Sequence, residues 1–258
     1  MKLACLLILA AAVPVAFRVA LPQAAAPAAL PAPPAAEPQE SGATLTGNVK
    51  VKGEIPKRRK ISSAADPKCA ATHGGEGIFT EEVVADTAGN VQWGFVYVKE
   101  GLGSDKLTPP KTPVVVEQKG CRFEPHVLGV MVGQDLVFRN QDPLMHIVHV
   151  QPRNNKKFGF SQAQRGEERA KQFTAKETIR LFCDVHPWMV AWIVVLDHPF
   201  YAVTGPDGKY RIKNLPPGKY TIEVWHEAYK AVTQEIEVKG KESKTANFVL
   251  TEKQAQPQ

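Results

Sequence analysis

The sequence "FCDVHPWMVAWIVV" (residues 182–195) joins two apolar runs through a short polar turn. Cys183 ends the first run, His186 lies in the turn, and Met189 begins the second run. The apolar and β-branched residues on both sides predict two β-strands, and Pro187 restricts the backbone between them. A thiol, an imidazole and a thioether can therefore converge on one point from a single tight loop.

A further imidazole is available upstream, in "FRNQDPLMHIVHV" (residues 138–150). This stretch predicts a strand, a turn, and a second strand that begins at His146. Two imidazoles, a thiolate and a weak axial thioether form the ligand set of copper sites that transfer one electron. The thioether of Met189 argues against a structural zinc site, which uses four Cys or His ligands.

Three other interpretations of the loop are open. A Cys–His nucleophile pair would need a third, orienting group and an oxyanion hole. A thiol–disulfide site would need a second cysteine where His186 stands. The loop would otherwise hold a buried cysteine and a surface histidine by chance. The spacing Cys-x2-His-x2-Met, with His146 upstream, favours the metal site over all three.

From residue 44 onward the chain consists of short β-branched or alternating segments separated by Gly, Pro, Asn and Asp. Examples are "TPVVVEQKGCRF" (112–123), "VGQDLVFRNQD" (132–142) and "GKYTIEVWHE" (218–227). This pattern predicts an all-β protein built from sandwiches or barrels. The polar stretch 161–173 has no apolar stripe, so we expect a loop or an irregular edge there.

Residues 201–229, "YAVTGPDGKYRIKNLPPGKYTIEVWHEAY", contain turn signals at 206–208 and 215–218, each of which would link two antiparallel strands. The segment resembles the carboxypeptidase regulatory-like (transthyretin-like) β-sandwich family. The resemblance implies a second, mainly structural β-sandwich, which we assign to residues 198–252. We expect segment 44–111 to supply its first strands, with a separate N-terminal β-unit as the alternative.

Residues 112–197 resemble the cupredoxin family, in particular amicyanin and plastocyanin-like blue copper proteins. The matching features, in the family's order, are Phe123-x-Pro125, Val132-Gly133-Gln134, Asn140-x-Asp142, His146 and the Cys183/His186/Met189 loop. The resemblance implies a Greek-key β-sandwich or barrel that holds one type 1 copper ion. His146, Cys183 and His186 would be equatorial ligands, and Met189 would be the axial ligand.

The same resemblance implies that electrons pass through an exposed edge of His186. The chain departs from the family at Ile147, where an Asn commonly follows the upstream histidine and braces the ligand loop. We therefore expect an unusual reduction potential.

Residues 1–43 differ in composition from the rest. A basic start and an apolar run that ends at Arg18 precede an Ala/Pro-rich tract. This pattern predicts a secretory signal and a linker, with an uncleaved membrane anchor as the alternative, and hence the periplasm or another exported location. In that oxidising environment we expect Cys69 and Cys121 to form a disulfide, which leaves Cys183 as the free thiol.

The remaining charged and histidine residues restrict the function further. A net charge of +6 suits an acidic protein partner but does not indicate nucleic-acid binding. His149 lies three residues after His146, on the opposite face of a strand, and is not expected to be a ligand. His198 and His226 would form either a second metal or ionic site or ordinary hydrogen bonds.

These features predict an exported blue copper protein, not an enzyme, that carries one electron between redox partner proteins. The donor would be a protein such as a dehydrogenase and the acceptor one such as a cytochrome, and the N-terminus would tether the protein if it is not cleaved. The alternative is a copper-binding or carrier module of the cell envelope that docks to a partner. We expect no catalytic residue and no cofactor other than copper.

Overall fold

The computed structural model describes residues 42–62, 66–73, 77–104 and 106–253. The predicted signal or anchor and nearly all of the Ala/Pro-rich linker lie outside the described residues. Among the described residues, no helix has the length and apolar character needed to cross a membrane.

Short strands make up most of the described chain. The strands are β1 (Ala43–Val51), β2 (Lys60–Ile61), β3 (Ile78–Phe79), β4 (Val84–Ala85), β5 (Val91–Gln92), β6 (Phe95–Glu100), β7 (Val114–Gln118), β8 (Phe123–Glu124), β9 (Val127–Met131), β10 (Leu136–Asn140), β11 (His146–Gln151), β12 (Phe158–Gln162), β13 (Glu168–Lys171), β14 (Glu177–Cys183), β15 (Val190–Leu196), β16 (Tyr201–Val203), β17 (Lys209–Leu215), β18 (Gly218–His226), β19 (Tyr229–Val238), β20 (Ser243–Thr245) and β21 (Phe248–Leu250). A five-residue helix, α1 (Pro67–Ala71), lies between β2 and β3.

Strands β7–β15 form one sandwich, which we call the central sandwich. Its sheets have the strand orders β13-β10-β7-β8 and β12-β11-β14-β15-β9. The β7–β10 and β9–β15 pairs are parallel, and the other pairs are antiparallel. Alternate residues of the two sheets, such as Phe138, Val148 and Ile193, share one buried core.

A second sandwich, the split sandwich, combines strands from both ends of the chain. One sheet has the order β17-β1-β20, with β21 also paired to β1, and the other has the order β16-β6-β18-β19. Its core includes Leu45 from β1, Val98 from β6 and Ile222 from β18. The prediction of an all-β chain with two sandwiches is confirmed, and both sandwiches consist of open sheets and are not closed barrels.

Segment 44–111 supplies β1 and β6 to the split sandwich, and another part of the segment packs elsewhere. Cys69 of α1 and Ile78 of β3 are buried in the core of the central sandwich. A disulfide joins Cys69 to Cys121, which lies 52 residues further along the chain. The sequence predicted this disulfide, which joins α1 to segment 112–197 because Cys121 lies there. The strand pattern of residues 60–79 does not by itself indicate that packing.

The polar stretch 161–173 is more regular than the sequence predicted. It contains the end of β12 and all of β13, which is an outermost strand of its sheet. Arg139 of β10 pairs across to Glu168 of β13, with Nε–Oε1 at 2.5 Å. Backbone pairing and cross-strand ion pairs therefore form this edge without the apolar alternation that marks buried strands.

The two sandwiches meet along β15, whose side chains are buried on both faces. Ala191, Ile193 and Val195 face the central core. Trp192, Val194 and Leu196 instead join a separate apolar cluster with Phe95 of the split sandwich. A strand covered on both sides is apolar throughout, which explains the continuous run "VAWIVVL".

The burial of His226, the last residue of β18, predicts that the stability of the fold depends on pH. Its side chain is 1% exposed, Nδ1 accepts a hydrogen bond from the Ala228 N–H at 3.1 Å, and burial lowers its pKa to about 4. The unfolded chain, with a histidine pKa of about 6.5, binds the proton more readily. Stability should therefore fall as the pH drops from about 6.5 toward 4.

We expect His226→Asn, whose amide oxygen can accept the same hydrogen bond, to reduce this pH dependence. The slope of unfolding free energy against pH should decrease by up to about 1.4 kcal/mol per pH unit. Urea unfolding at several pH values measures the slope, with the half-exposed His149→Asn as the control. An unchanged slope in His226→Asn would contradict the assignment.

Candidate metal centre

Three donor atoms converge at one end of the central sandwich. His146 Nδ1 lies 3.1 Å from His186 Nδ1, and Cys183 Sγ lies 4.0 Å from the former and 3.7 Å from the latter. The three residues are at most 2% exposed. Two imidazole nitrogens and a sulfur thus surround a single buried point.

The pairing of β11 with β14 brings two of these residues together. The strands are antiparallel with Val148 opposite Cys183, so the start of β11 and the end of β14 lie side by side at the same end of the sheet. His146 is the first residue of β11, and Cys183 is the last residue of β14. The positions of these two donor groups therefore follow directly from strand register.

The loop after Cys183 is closed by its own backbone. The Cys183 N–H donates to the Met189 carbonyl at 3.1 Å, and the Met189 N–H donates to the His186 carbonyl at 2.9 Å. This tight turn directs His186 back over the end of the sheet. Met189, which is 1% exposed, joins the central core at the end of the turn.

Main-chain hydrogen bonds brace the loop at Ile147. The Ile147 N–H donates to Cys183 Sγ at 3.4 Å, and the Asp184 N–H donates to the Ile147 carbonyl at 3.2 Å. Both bonds use backbone atoms of Ile147 and are independent of its side chain. The loop is therefore fixed to β11 although the amide side chain common in the resembled family is missing.

A buried carboxylate supports the upstream imidazole. Asp142 Oδ2 lies 3.0 Å from His146 Nε2, and the Asp142 carboxylate also accepts hydrogen bonds from the Gly120 N–H at 2.7 Å and the Cys121 N–H at 2.8 Å. Burial raises the pKa of Asp142, but these hydrogen bonds outweigh burial and lower it overall. A carboxylate bound to Nε2 orients the ring so that Nδ1 points into the donor cluster.

A second carboxylate supports the downstream imidazole from a different segment of the chain. Asp66, the N-cap of α1, places Oδ2 3.3 Å from His186 Nε2. His186 is only 1% exposed. The prediction that an edge of His186 is exposed is therefore wrong, because α1 covers the imidazole.

The disulfide lies directly beside this covered ring. The sulfur atoms of Cys69 and Cys121 and a ring nitrogen of His186 all lie within 4.8 Å of one another. Trp188 Nε1 donates to the Cys121 carbonyl at 3.2 Å, and the Trp188 ring centroid lies 5.3 Å from that of His186. The disulfide thus holds α1 and the ligand loop on the same side of the site.

The environment favours ionisation of the Cys183 thiol. Burial alone raises its pKa, but hydrogen bonds with His146, with His186 and from the Ile147 N–H lower it to about 6. The pKa of His186 is raised mainly by its contact with Cys183. A metal needs a thiolate as ligand, and this site supplies one near neutral pH.

The distances within the cluster fit one metal ion. Metal–nitrogen bonds of about 2.0–2.1 Å and metal–sulfur bonds of about 2.3 Å place the ligand atoms of one ion roughly 3.3–3.8 Å apart. The observed separations of 3.1, 3.7 and 4.0 Å lie in this range or within about 0.2 Å of it. His146, Cys183 and His186 are therefore a suitable trigonal donor set.

The other predicted histidines lie elsewhere. His149 pairs with Asp184 at 3.2 Å on the outer face of the sheet, and its side chain is 42% exposed. His198 Nδ1 accepts the Phe200 N–H at 3.2 Å. Among the described residues, neither His198 nor His226 belongs to a cluster of three potential metal ligands.

The supporting role of these two carboxylates was not predicted from the sequence. The "NQD" turn contained Asp142, and Asp66-Pro67 is a helix-start signal, so each had a local signal. Neither local signal indicates that the carboxylate contacts a histidine ring. That contact depends on the chain path through α1 and the Gly120–Cys121 turn.

One family model matches part of the chain. Residues 191–251 match the carboxypeptidase regulatory-like domain, from within β15 to just after β21. A comparison with curated proteins found no match.

Three solved structures are similar to part of the chain. The Cu-containing nitrite reductase (NirK) from Thermus scotoductus SA-01 is 28% identical, over 38% of this chain and 25% of its own, with a TM-score of 0.32. The purple cupredoxin from Nitrosopumilus maritimus is 19% identical over 32% of this chain and 98% of its own, with a TM-score of 0.28. A Cu(I) structure of an amicyanin mutant is 18% identical over 39% of this chain and 97% of its own, with a TM-score of 0.30.

This chain spans a quarter of the length of the nitrite reductase. All three TM-scores are below 0.5. The candidate metal centre is therefore defined by strand register and donor distances.

The Asp142 carboxylate should be required for stability. We expect Asp142→Asn to lower the unfolding free energy by about 2–3 kcal/mol, because one amide oxygen cannot replace two charged acceptors. Urea unfolding of the metal-free protein measures the effect. The exposed Asp135→Asn serves as the control and should change stability by less than about 0.5 kcal/mol. Equal stability of the two variants would argue against this role of Asp142.

Proposed function

We propose that this chain is an exported blue copper protein that transfers single electrons, with His146, Cys183, His186 and Met189 as ligands of one type 1 copper ion. The observation that carries the proposal is the buried convergence of His146 Nδ1, His186 Nδ1 and Cys183 Sγ. Such a ligand set selects copper and supports its one-electron redox change.

In this function the protein holds the ligands in nearly fixed positions and excludes water from them. Register between β11 and β14 fixes His146 beside Cys183, and the Ile147 N–H donates to the sulfur. Asp142 contacts Nε2 of His146 and Asp66 contacts Nε2 of His186, so each carboxylate orients one imidazole. A site that hardly moves between redox states favours fast electron transfer, because little rearrangement accompanies each step.

Partner proteins need a surface close to the ligands. Met145 and Val185, which directly precede the two histidine ligands, are 48% and 40% exposed. We propose that a redox partner docks on this apolar surface, since His186 itself is covered. The chain's net charge of +6 favours an acidic partner.

The oxidised cysteine pair supports an exported location. Disulfides such as Cys69–Cys121 persist in the periplasm and other oxidising compartments. Together with the predicted signal at residues 1–43, this favours the cell envelope.

A second candidate function is copper storage or delivery in the cell envelope. The burial of His186 beneath α1 favours it, because a covered metal is retained and not exchanged at the surface. A carrier would bind Cu(I) tightly and would not cycle its ion between oxidation states.

Adding Cu(II) to the metal-free protein tests the proposal. We expect one copper ion per chain and an intense thiolate charge-transfer band that ascorbate bleaches and oxidant restores. Cys183→Ser should lose the band, and His149→Gln should keep it because that ring faces away from the site. A band that survives in Cys183→Ser would refute the ligand set. Tight Cu(I) binding without the band would favour the carrier.

The role of Met189 is tested by Met189→Leu, which preserves the buried volume. We expect the variant to bind copper but to have a higher reduction potential. The reason is that loss of an axial donor destabilises Cu(II) more than Cu(I), which tolerates three ligands. Voltammetry of the copper-loaded protein measures the potential, and an unchanged potential would remove Met189 from the ligand set.

A further inference from the structure

Helix α1 reaches the metal centre from outside the central sandwich. Its N-cap, Asp66, uses Oδ1 to accept the backbone N–H groups of Lys68 at 3.0 Å and Cys69 at 3.4 Å. Its other oxygen, Oδ2, faces His186 Nε2 at 3.3 Å. One carboxylate therefore starts the helix and contacts the imidazole at the same time.

The helix is tied down at several points. Cys69 is bonded to Cys121, and the His73 Nε2 lies 2.6 Å from the Gly120 carbonyl. The Cys121 N–H donates in turn to Asp142, the carboxylate that supports His146. The same short turn thus anchors α1 and braces the other imidazole.

The burial of the site shows what α1 covers. The Asp66 side chain is 29% exposed, while that of His186 beneath it is only 2% exposed. Cys183, in contact with His186, is 2% exposed and is the free cysteine among the described residues. Solvent reaches Asp66 but not the donor atoms behind it.

We propose that Asp66 is a positioning residue for His186 and that α1 is a tethered cap, which must be displaced before a reagent or ion can reach Cys183 from this side. The positioning role rests on the proposed function, because it requires His186 to bind copper. The capping role does not, since the covered thiol is present without any metal.

The cap is tested on the metal-free, full-length, disulfide-intact protein with the thiol reagent DTNB. We expect slow reaction of Cys183 in the wild type and at least tenfold faster reaction in Asp66→Ala, which loses both the helix cap and the imidazole contact. Asp66→Asn should react at close to the wild-type rate, because Asn is an equally good N-cap. Cys183→Ser gives the background from any other thiol, and Asp135→Ala is the surface control.

A second variant keeps the test decisive if Asp66→Ala is unstable. Cys69→Ala combined with Cys121→Ala removes the tether and should also expose Cys183, provided that circular dichroism shows the native β-structure. The capping role is overturned if the wild-type thiol reacts as fast as it does in urea. It is also overturned if folded Asp66→Ala and the tether variant both keep the wild-type rate.

The positioning role is tested on the copper-loaded protein. Replacing the carboxylate by a neutral amide in Asp66→Asn removes a negative charge that favours Cu(II). We therefore expect Asp66→Asn to have a higher reduction potential and an unchanged intensity of the charge-transfer band. The control Asp135→Asn should keep the wild-type potential. An unchanged potential in Asp66→Asn overturns the positioning role. If the protein and its variants take up no copper but the DTNB result holds, the proposed function fails and the cap stands.

Discussion

The pairing of β11 with β14 is the constraint on which the metal centre depends. With Val148 opposite Cys183, the first residue of β11 (His146) and the last residue of β14 (Cys183) lie at the same end of the sheet. A shift of one residue would turn His146 to the opposite face and separate the donors. The burial of alternate residues of β11 prevents that shift, because Val148 and Val150 would leave the core with it.

The surroundings of the donors come from distant parts of the chain. Asp142 precedes β11, whereas Asp66 belongs to a helix that lies between strands β2 and β3. Both carboxylates contact the outer nitrogen of an imidazole, and both are linked to the disulfide-bonded turn at Cys121. The carboxylates that orient the two imidazoles are therefore fixed from two sides of the site. His186 is more enclosed than the resemblance to cupredoxins implied.

Strand β15 connects this site to the split sandwich. It follows the ligand loop immediately, contributes Ile193 to the central core and presents Trp192 to the other sandwich. The Trp192 N–H donates to the His126 carbonyl at 2.8 Å, and His126 in turn contacts Glu227 in the β18–β19 turn. The segment that carries Met189 is therefore held by both sandwiches, which limits its movement.

The all-β class and the resemblances to two β-sandwich families could be read from the sequence, because strand alternation and Pro-Gly turns are local patterns. The Cys-x2-His-x2-Met spacing, together with the upstream His146, likewise indicated the four candidate ligands. The predicted Cys69–Cys121 disulfide already linked residue 69 to segment 112–197, but no local pattern indicated that β3 packs in the central core or that Asp66 contacts His186. The sequence also predicted an exposed His186, since a single loop sequence carries no information about a helix that arrives from elsewhere. The covering of this imidazole became visible only in the folded chain, because burial is the sum of contacts from segments far apart in the sequence.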